Sequence, residues 1–152
     1  MKREGLDDQG SYFSINQVSG TAPILFCHGV GLSSKIWYPQ INFFENKQTT
    51  IVYDLLNHGH TTSYSRDLNF DDFSSQIDGL LQYLQYPKVN IVGFSLGALI
   101  TAHYASIHSN KVNKIVLFGS IHKRSKSQQE SAQQRYEDCL LYTSPSPRDW
   151  DE

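Results

Sequence analysis

Val89-Asn90-Ile91-Val92-Gly93-Phe94-Ser95-Leu96-Gly97-Ala98-Leu99-Ile100 decides how the rest of the chain is read. Four residues of strand character, Val89 to Val92, run directly into Gly-x-Ser-x-Gly, and helix formers follow at once. A serine at so sharp a strand-to-helix turn takes a strained backbone conformation. The residues two positions away on either side must then be nearly free of side chain. Gly93 and Gly97 meet that demand, and Ala98 keeps the next turn small. The Ser95 hydroxyl is thereby expected above the carboxyl end of a strand and at the N-terminus of a helix. There the positive end of the helix and the N–H of Leu96 can face a developing oxyanion. The bare pentapeptide arises by chance in roughly 5% of chains this long. Its weight comes from the strand before it and the helix after it.

The sequence on either side repeats that pattern. Ile24-Leu25-Phe26-Cys27 and Thr49-Thr50-Ile51-Val52-Tyr53 are short apolar runs, as in strands buried on both faces. Ile115-Val116-Leu117-Phe118 reads as one more buried strand, closed by Gly119-Ser120. Between these runs lie two helical stretches. One starts near Ser33 or Ser34 and passes through Trp37, Ile41 and Phe44; the other runs from Phe70 to Leu84 with apolar residues at 73, 77, 80, 81 and 84. Leu96 to His108 forms the helix after Ser95, and Ser11 to Ser19 alternates loosely, as an edge strand or hairpin does. Buried strands alternating with amphipathic helices predict an α/β fold, its mostly parallel sheet covered by helices on both faces. Working groups in such sheets lie at the carboxyl ends of the strands. Three strands end there in conspicuous residues: His28-Gly29-Val30-Gly31, Asp54 onward, and Ser95.

Composition narrows the function classes. With 39% hydrophobic and 18% charged residues, the 152-residue chain is of globular type and of single-domain size. A net charge of −2 carries no electrostatic footprint for nucleic acid or for an anionic membrane. The charged start, Met1-Lys2-Arg3-Glu4-Gly5-Leu6-Asp7-Asp8, lacks the apolar core of a signal peptide. No apolar run reaches the length of a membrane helix, so the expectation is a cytoplasmic protein. Two distant cysteines, Cys27 and Cys139, form neither a disulfide framework nor a metal spacing. No cofactor is expected, and oligomeric state is not legible.

The segment from about Thr21 to Ser120 resembles the first half of an α/β-hydrolase domain. His28-Gly29-Val30-Gly31 resembles that family's oxyanion loop after its third strand. Asp54-Leu55-Leu56-Asn57-His58-Gly59-His60-Thr61 resembles the turn after its fourth, and Gly93-Phe94-Ser95-Leu96-Gly97 the elbow after its fifth. Within the family, Tyr53-Asp54-Leu55-Leu56 and Gly119-Ser120-Ile121-His122-Lys123-Arg124-Ser125 look most like small carboxylesterases and enol-lactonases. The resemblance implies a serine hydrolase acting on a small-molecule ester or lactone. Ser95 would be the nucleophile, and the backbone N–H groups of Val30 and Leu96 the oxyanion hole, with Val30 also bordering the acyl pocket. A serine at the elbow argues against haloalkane dehalogenases and epoxide hydrolases, which place Asp there. Peptidase, thioesterase and carbon–carbon hydrolase activities stay open, as does a non-catalytic receptor or binding module on the same scaffold. Asn57 and Thr61 depart from the family's usual Gly and Ser.

Other candidates have plainer readings. The family uses His28 to hold loop geometry and Asp54 to fix its own turn, rather than as triad base and acid. His58 and His60 read as structural or solvated, His103 and His108 as lying behind the nucleophile, and His122 as a bystander past a strand end. The family's triad acid and base follow later strands, and nothing after Ser120 reads as such a strand. Ser127 to Leu140 is polar and helix-leaning, like the entry to a cap region. Cys139-Leu140-Leu141-Tyr142-Thr143-Ser144-Pro145-Ser146-Pro147-Arg148-Asp149 resembles the conceptual translation of a sequencing adaptor. The expected organisation is therefore a partial domain over 1–138, truncated before its last strands, and an artefactual tail over 139–152. Without acid and base, the chain as written is expected to be inactive.

Overall fold

The computed structural model describes residues 1–121 and 123–141. The chain divides into two compact units, Met1–Ser120 and Ile121–Glu152. The first contains a six-stranded sheet: β1 (Lys2–Leu6), β2 (Tyr12–Asn16), β3 (Ile24–Cys27), β4 (Thr50–Tyr53), β5 (Val89–Phe94) and β6 (Val112–Phe118). Three helices accompany it, α1 (Tyr38–Phe44), α2 (Phe70–Tyr83) and α3 (Leu96–Ile107), with 3₁₀ turns at Ser34–Trp37 and Ser109–Lys111. In the second unit the helix α4 spans Lys126–Leu141. The expected tail falls partly on its last turn; residues 142–152 lie outside the described residues, as does His122.

Strand order is β1-β2-β4-β3-β5-β6. The β1–β2 and β2–β4 pairs are antiparallel, and the pairs β3–β4, β3–β5 and β5–β6 are parallel. Period-two alternation sends Leu25, Cys27, Ile51, Tyr53, Val89 and Ile91 to one face. There they pack with Ile77, Leu80 and Leu81 of α2 and Ile100 and Tyr104 of α3. Phe26 and Val52 point to the other face, against Trp37, Ile41 and Phe44. Helices therefore cover both faces, as the apolar strands require.

The α2 helix starts where its sequence says it should. Asn69 caps the N–H groups of Asp71 and Asp72, while the Asp72 carboxylate accepts from the Asn69 N–H at 2.8 Å. Leu84, the expected last residue, is its C-cap.

Two expectations are corrected. The segment within Ser11–Ser19 is half of a hairpin, but β2 lies inside the sheet, between β1 and β4. The edge is β1, whose Lys2, Arg3 and Glu4 are exposed and carry no apolar alternation by which a strand would be read. The segment Ile115–Phe118 is a strand, yet not a buried one. Ile115, Val116, Leu117 and Phe118 are 40%, 55%, 39% and 43% exposed. It forms the other edge of the six-stranded sheet, and among the described residues it pairs with β5 alone.

Candidate active site

The chain leaves β3 toward β4 on one side and later crosses to β5 on the other. The carboxyl ends of β3 and β5 therefore flank a topological switch point, where an open α/β sheet has a natural crevice. Cys27 is in register with Gly93. The residues that follow each, His28-Gly29-Val30-Gly31 and Phe94-Ser95, are thus brought side by side from opposite ends of a long stretch of chain.

Ser95 sits at φ 54° and ψ −117°, between β5 and the first turn of α3. This is a conformation that L-residues rarely take. Its own N–H donates to the Phe118 carbonyl at 3.1 Å, so β6 holds the turn from one side. The flanking glycines are sterically required. A Cβ on Gly93 would lie 2.5 Å from the Gly97 carbonyl oxygen and 2.6 Å from Thr101 Oγ1. One on Gly97 would overlap the carbonyl oxygens of Cys27 and His28, so α3 packs backbone to backbone on the end of β3. The third contact is Gly29, where a Cβ would be 3.1 Å from Ser95 Cβ, 3.4 Å from the Phe94 ring and 3.5 Å from Leu32 Cδ1. The glycine loop therefore passes directly against the serine.

Ser95 and Leu96 are half-buried, whereas Val30 is 68% exposed. Among the described residues neither the Leu96 nor the Val30 N–H has a hydrogen-bond partner. The first is an unpaired N–H at the start of a helix, and the second belongs to the exposed loop. The Ser95 hydroxyl makes no capping bond to α3. Phe94 packs on Phe118 with ring centroids 5.1 Å apart, and Trp37 meets Phe118 edge-on at 5.9 Å. Aromatic rings of β5, β6 and the 3₁₀ turn thus pack in series, starting from the residue before the serine.

The titratable residues nearby are occupied in holding backbone. Buried His28 donates from Nδ1 to the Gly29 carbonyl at 2.8 Å and accepts at Nε2 from the Leu55 N–H at 3.0 Å. Burial pushes its imidazole below the ordinary pKa, against the hydrogen bond to Gly29, which favours the charged form. Asp54 is also buried, with Oδ1 accepting from the Ser34 N–H at 2.7 Å and Oδ2 from the His60 N–H at 2.9 Å. Burial alone would raise its pKa, but the hydrogen bonds from His60 and Ser34, together with the nearby His28, hold the carboxylate below its usual range. Both ring nitrogens of His28 are engaged by backbone, and both carboxylate oxygens of Asp54 are bonded to backbone N–H groups of the neighbouring loops.

The turn after β4 accommodates both departures noted in the sequence. Asn57 has φ 60°, which Asn tolerates, and exchanges hydrogen bonds with the Tyr64 backbone. Thr61 donates to the Asp54 carbonyl at 2.6 Å and receives the Tyr12 N–H at 3.0 Å. Its hydroxyl supplies the contact that a serine would make. Elsewhere, His103 on α3 bonds Asp71 at 2.9 Å, and His108, the C-cap of α3, packs on Tyr104. His60 meets Tyr12 edge-on. Sequence reading missed the His58–Gly31 hydrogen bond and the contacts of Leu32 and Phe94 with the glycine loop. The one available signal was proximity to the motifs, Leu32 just after the loop and His58 within the turn. Among the described residues no group of three or more His, Cys, Asp or Glu is placed to hold a metal ion. No helix among them is long and apolar enough to cross a membrane.

The family described as alpha/beta hydrolase fold matches residues 22–141. That match takes in the glycine loop, the Asp54 turn and the serine elbow together. The chain belongs to the alpha/beta hydrolase fold family. This hydrolase-family chain is 30% identical over 115 residues to an (E)-2-((N-methylformamido)methylene)succinate hydrolase of Acinetobacter baylyi, covering 76% of the chain and 44% of that protein. It is 26% identical over 119 residues to a 3-oxoadipate enol-lactonase 2 of the same organism, covering 78% and 44%. The crystal structure of MGS-M2, an alpha/beta hydrolase enzyme from a Medee basin deep-sea metagenome library, superposes with a TM-score of 0.79. Identity there is 20%, over 86% of this chain and 48% of that one, so the likeness shows the fold alone. The chain spans less than half the length of these relatives.

Proposed function

We propose that the protein to which this chain belongs is a serine hydrolase that opens carboxylic esters or lactones through an acyl-enzyme on Ser95. The observation that carries this reading is the strained Ser95 at the switch point, beside the unengaged N–H groups of Leu96 and Val30. Ser95 Oγ attacks the substrate carbonyl carbon and gives its proton to a general base. The carbonyl oxygen takes the negative charge, and the N–H groups of Leu96 and Val30 receive it. A preorganised donor of this kind contributes about 10²-fold to 10³-fold in rate. Collapse of the intermediate breaks the ester C–O bond, and the alkoxide leaves with the proton now held by the base. Water, deprotonated by the same base, then attacks the acyl carbon; the bond to Ser95 Oγ breaks and the base returns that proton to the serine. In a lactone the leaving oxygen stays tethered to the acyl group.

His28 is excluded as that base because both ring nitrogens are bonded to backbone. The reading therefore places the base, and the acid that orients it, in the part of the parent protein that the relatives have and this chain does not span. The name of the Acinetobacter enol-lactonase supports a lactone as substrate class, and the ester reading follows from the same acyl chemistry.

A fluorophosphonate probe tests this directly on the full-length parent. The expected result is covalent labelling of the wild type and none of Ser95→Ala. A wild type that stays unlabelled, or a variant that labels equally, overturns the assignment and leaves the scaffold as a receptor or binding module.

A further inference from the structure

We propose that His58 is a positioning residue for the glycine loop: it holds the peptide unit after Val30 while His28 holds the one before it. This rests on the reading that the Val30 N–H is an oxyanion donor.

The geometry begins with two peptide planes. The unit joining Gly29 to Val30 contains the Gly29 C=O and the Val30 N–H, which point in opposite directions across a trans bond. His28 Nδ1–H grips the Gly29 oxygen at 2.8 Å and so aims the Val30 N–H the other way. The next unit carries the Gly31 N–H, which donates to His58 Nε2 at 3.0 Å. His58 is in turn locked by its Nδ1–H, which donates to the Leu56 carbonyl at 2.9 Å. A carbonyl only accepts, so both histidines must carry their proton on Nδ1. The rings meet edge to face, 5.3 Å between centroids. Both reach back to consecutive residues of one turn, Leu55 and Leu56, which Asp54 and Thr61 make rigid.

These hydrogen bonds matter because packing does little for the loop. Val30 is 68% exposed and stands between two glycines, the residue type that loses most conformational freedom on ordering. Gly31 has φ 72° and no atom near the position its Cβ would take. Without the acceptor on His58, the peptide after Val30 is free to turn and the donor loses its aim.

The test uses the full-length parent and two variants. His58→Phe keeps a ring against His28 but removes the acceptor, and His58→Gln restores an acceptor without the ring. Turnover of p-nitrophenyl butyrate is measured per Ser95 site, the sites being counted by fluorophosphonate titration. Loss of a whole donor costs about 10²-fold to 10³-fold, so a loosened one is expected to lower kcat about tenfold in His58→Phe. KM and melting temperature stay near wild type, and His58→Gln recovers most of the loss. Wild-type kcat in His58→Phe overturns the proposal, as does a loss that follows the melting temperature and is not recovered by Gln. A second measurement needs neither variants nor turnover: nitrogen NMR of wild type labelled at histidine and glycine. Nε2 of His58 is expected unprotonated and coupled to a slowly exchanging Gly31 amide; a protonated Nε2 or a freely exchanging amide overturns the proposal. Absent fluorophosphonate labelling of the wild type with that bond intact refutes the serine hydrolase reading instead.

Discussion

Ser95 is held at φ 54° and ψ −117°, where an L-residue is strained by about 1–3 kcal/mol. The strain is localised at one residue because its neighbours are relieved of it. Gly93 and Gly97 have no side chain to collide with Thr101 or with the end of β3. Glycine at position 95 would remove the strain and the hydroxyl together. Ser95→Gly in the full-length protein is therefore expected to raise stability by about 1 kcal/mol, even though it removes the proposed nucleophile. Chemical denaturation checks this, and a destabilised Ser95→Gly would mean that the hydroxyl makes a structural contact. At this scale the sequence was highly legible, because the demands of a tight turn fall on residues within two positions of each other. Asn57 behaves likewise: its amide side chain and its φ of 60° explain how the turn survives without glycine. The partner of His58 was not legible, since Gly31 lies 27 positions away and meets it only through the fold.

The loop after β3 and the turn after β4 form one mechanical unit, with buried His28 as the central link. Its position has a consequence for pH. The folded protein holds His28 below its ordinary pKa of 6.5, chiefly through burial, so the unfolded chain takes up a proton that the folded one resists. The unfolded state therefore binds more protons in the window below about pH 6.5, and stability must fall as pH drops through it. The His28 contribution is complete above that value and lost progressively toward acid. Denaturation curves between about pH 7.5 and about pH 5.5 should show this fall, with the His28 ring titrating below 6.5 by proton NMR. A His28 that titrates above 6.5 would contradict the account. Among elements, β3, β4, β5, α2 and α3 were legible because each buries an apolar pattern of its own. The edge strand β1 was not, because Lys2, Arg3 and Glu4 face solvent and its pairing comes entirely from β2.

Across the whole sheet the two edges differ. Strand β1 is charged, whereas β6 offers Ile115, Val116, Leu117 and Phe118 to solvent beside an unpaired row of backbone groups. An exposed apolar edge of this kind invites pairing with another chain, and an edge lysine blunts it. The 152-residue polypeptide made by itself is expected to associate at micromolar concentration, and Val116→Lys to shift it toward monomer. Light scattering after size-exclusion chromatography measures both, and a monomeric wild-type chain would refute the expectation. The sequence by itself determined the α/β class, the strand–turn–helix at Ser95 and the glycine positions around it. These depend on steric and periodic rules that act within a few residues. Only the tertiary structure decided that Gly29 lies against Ser95, that two histidines bracket Val30, and that β6 is an open edge. Those facts depend on the order of strands in the sheet, and parallel pairing sets that order between segments far apart in the chain, where no local pattern reaches.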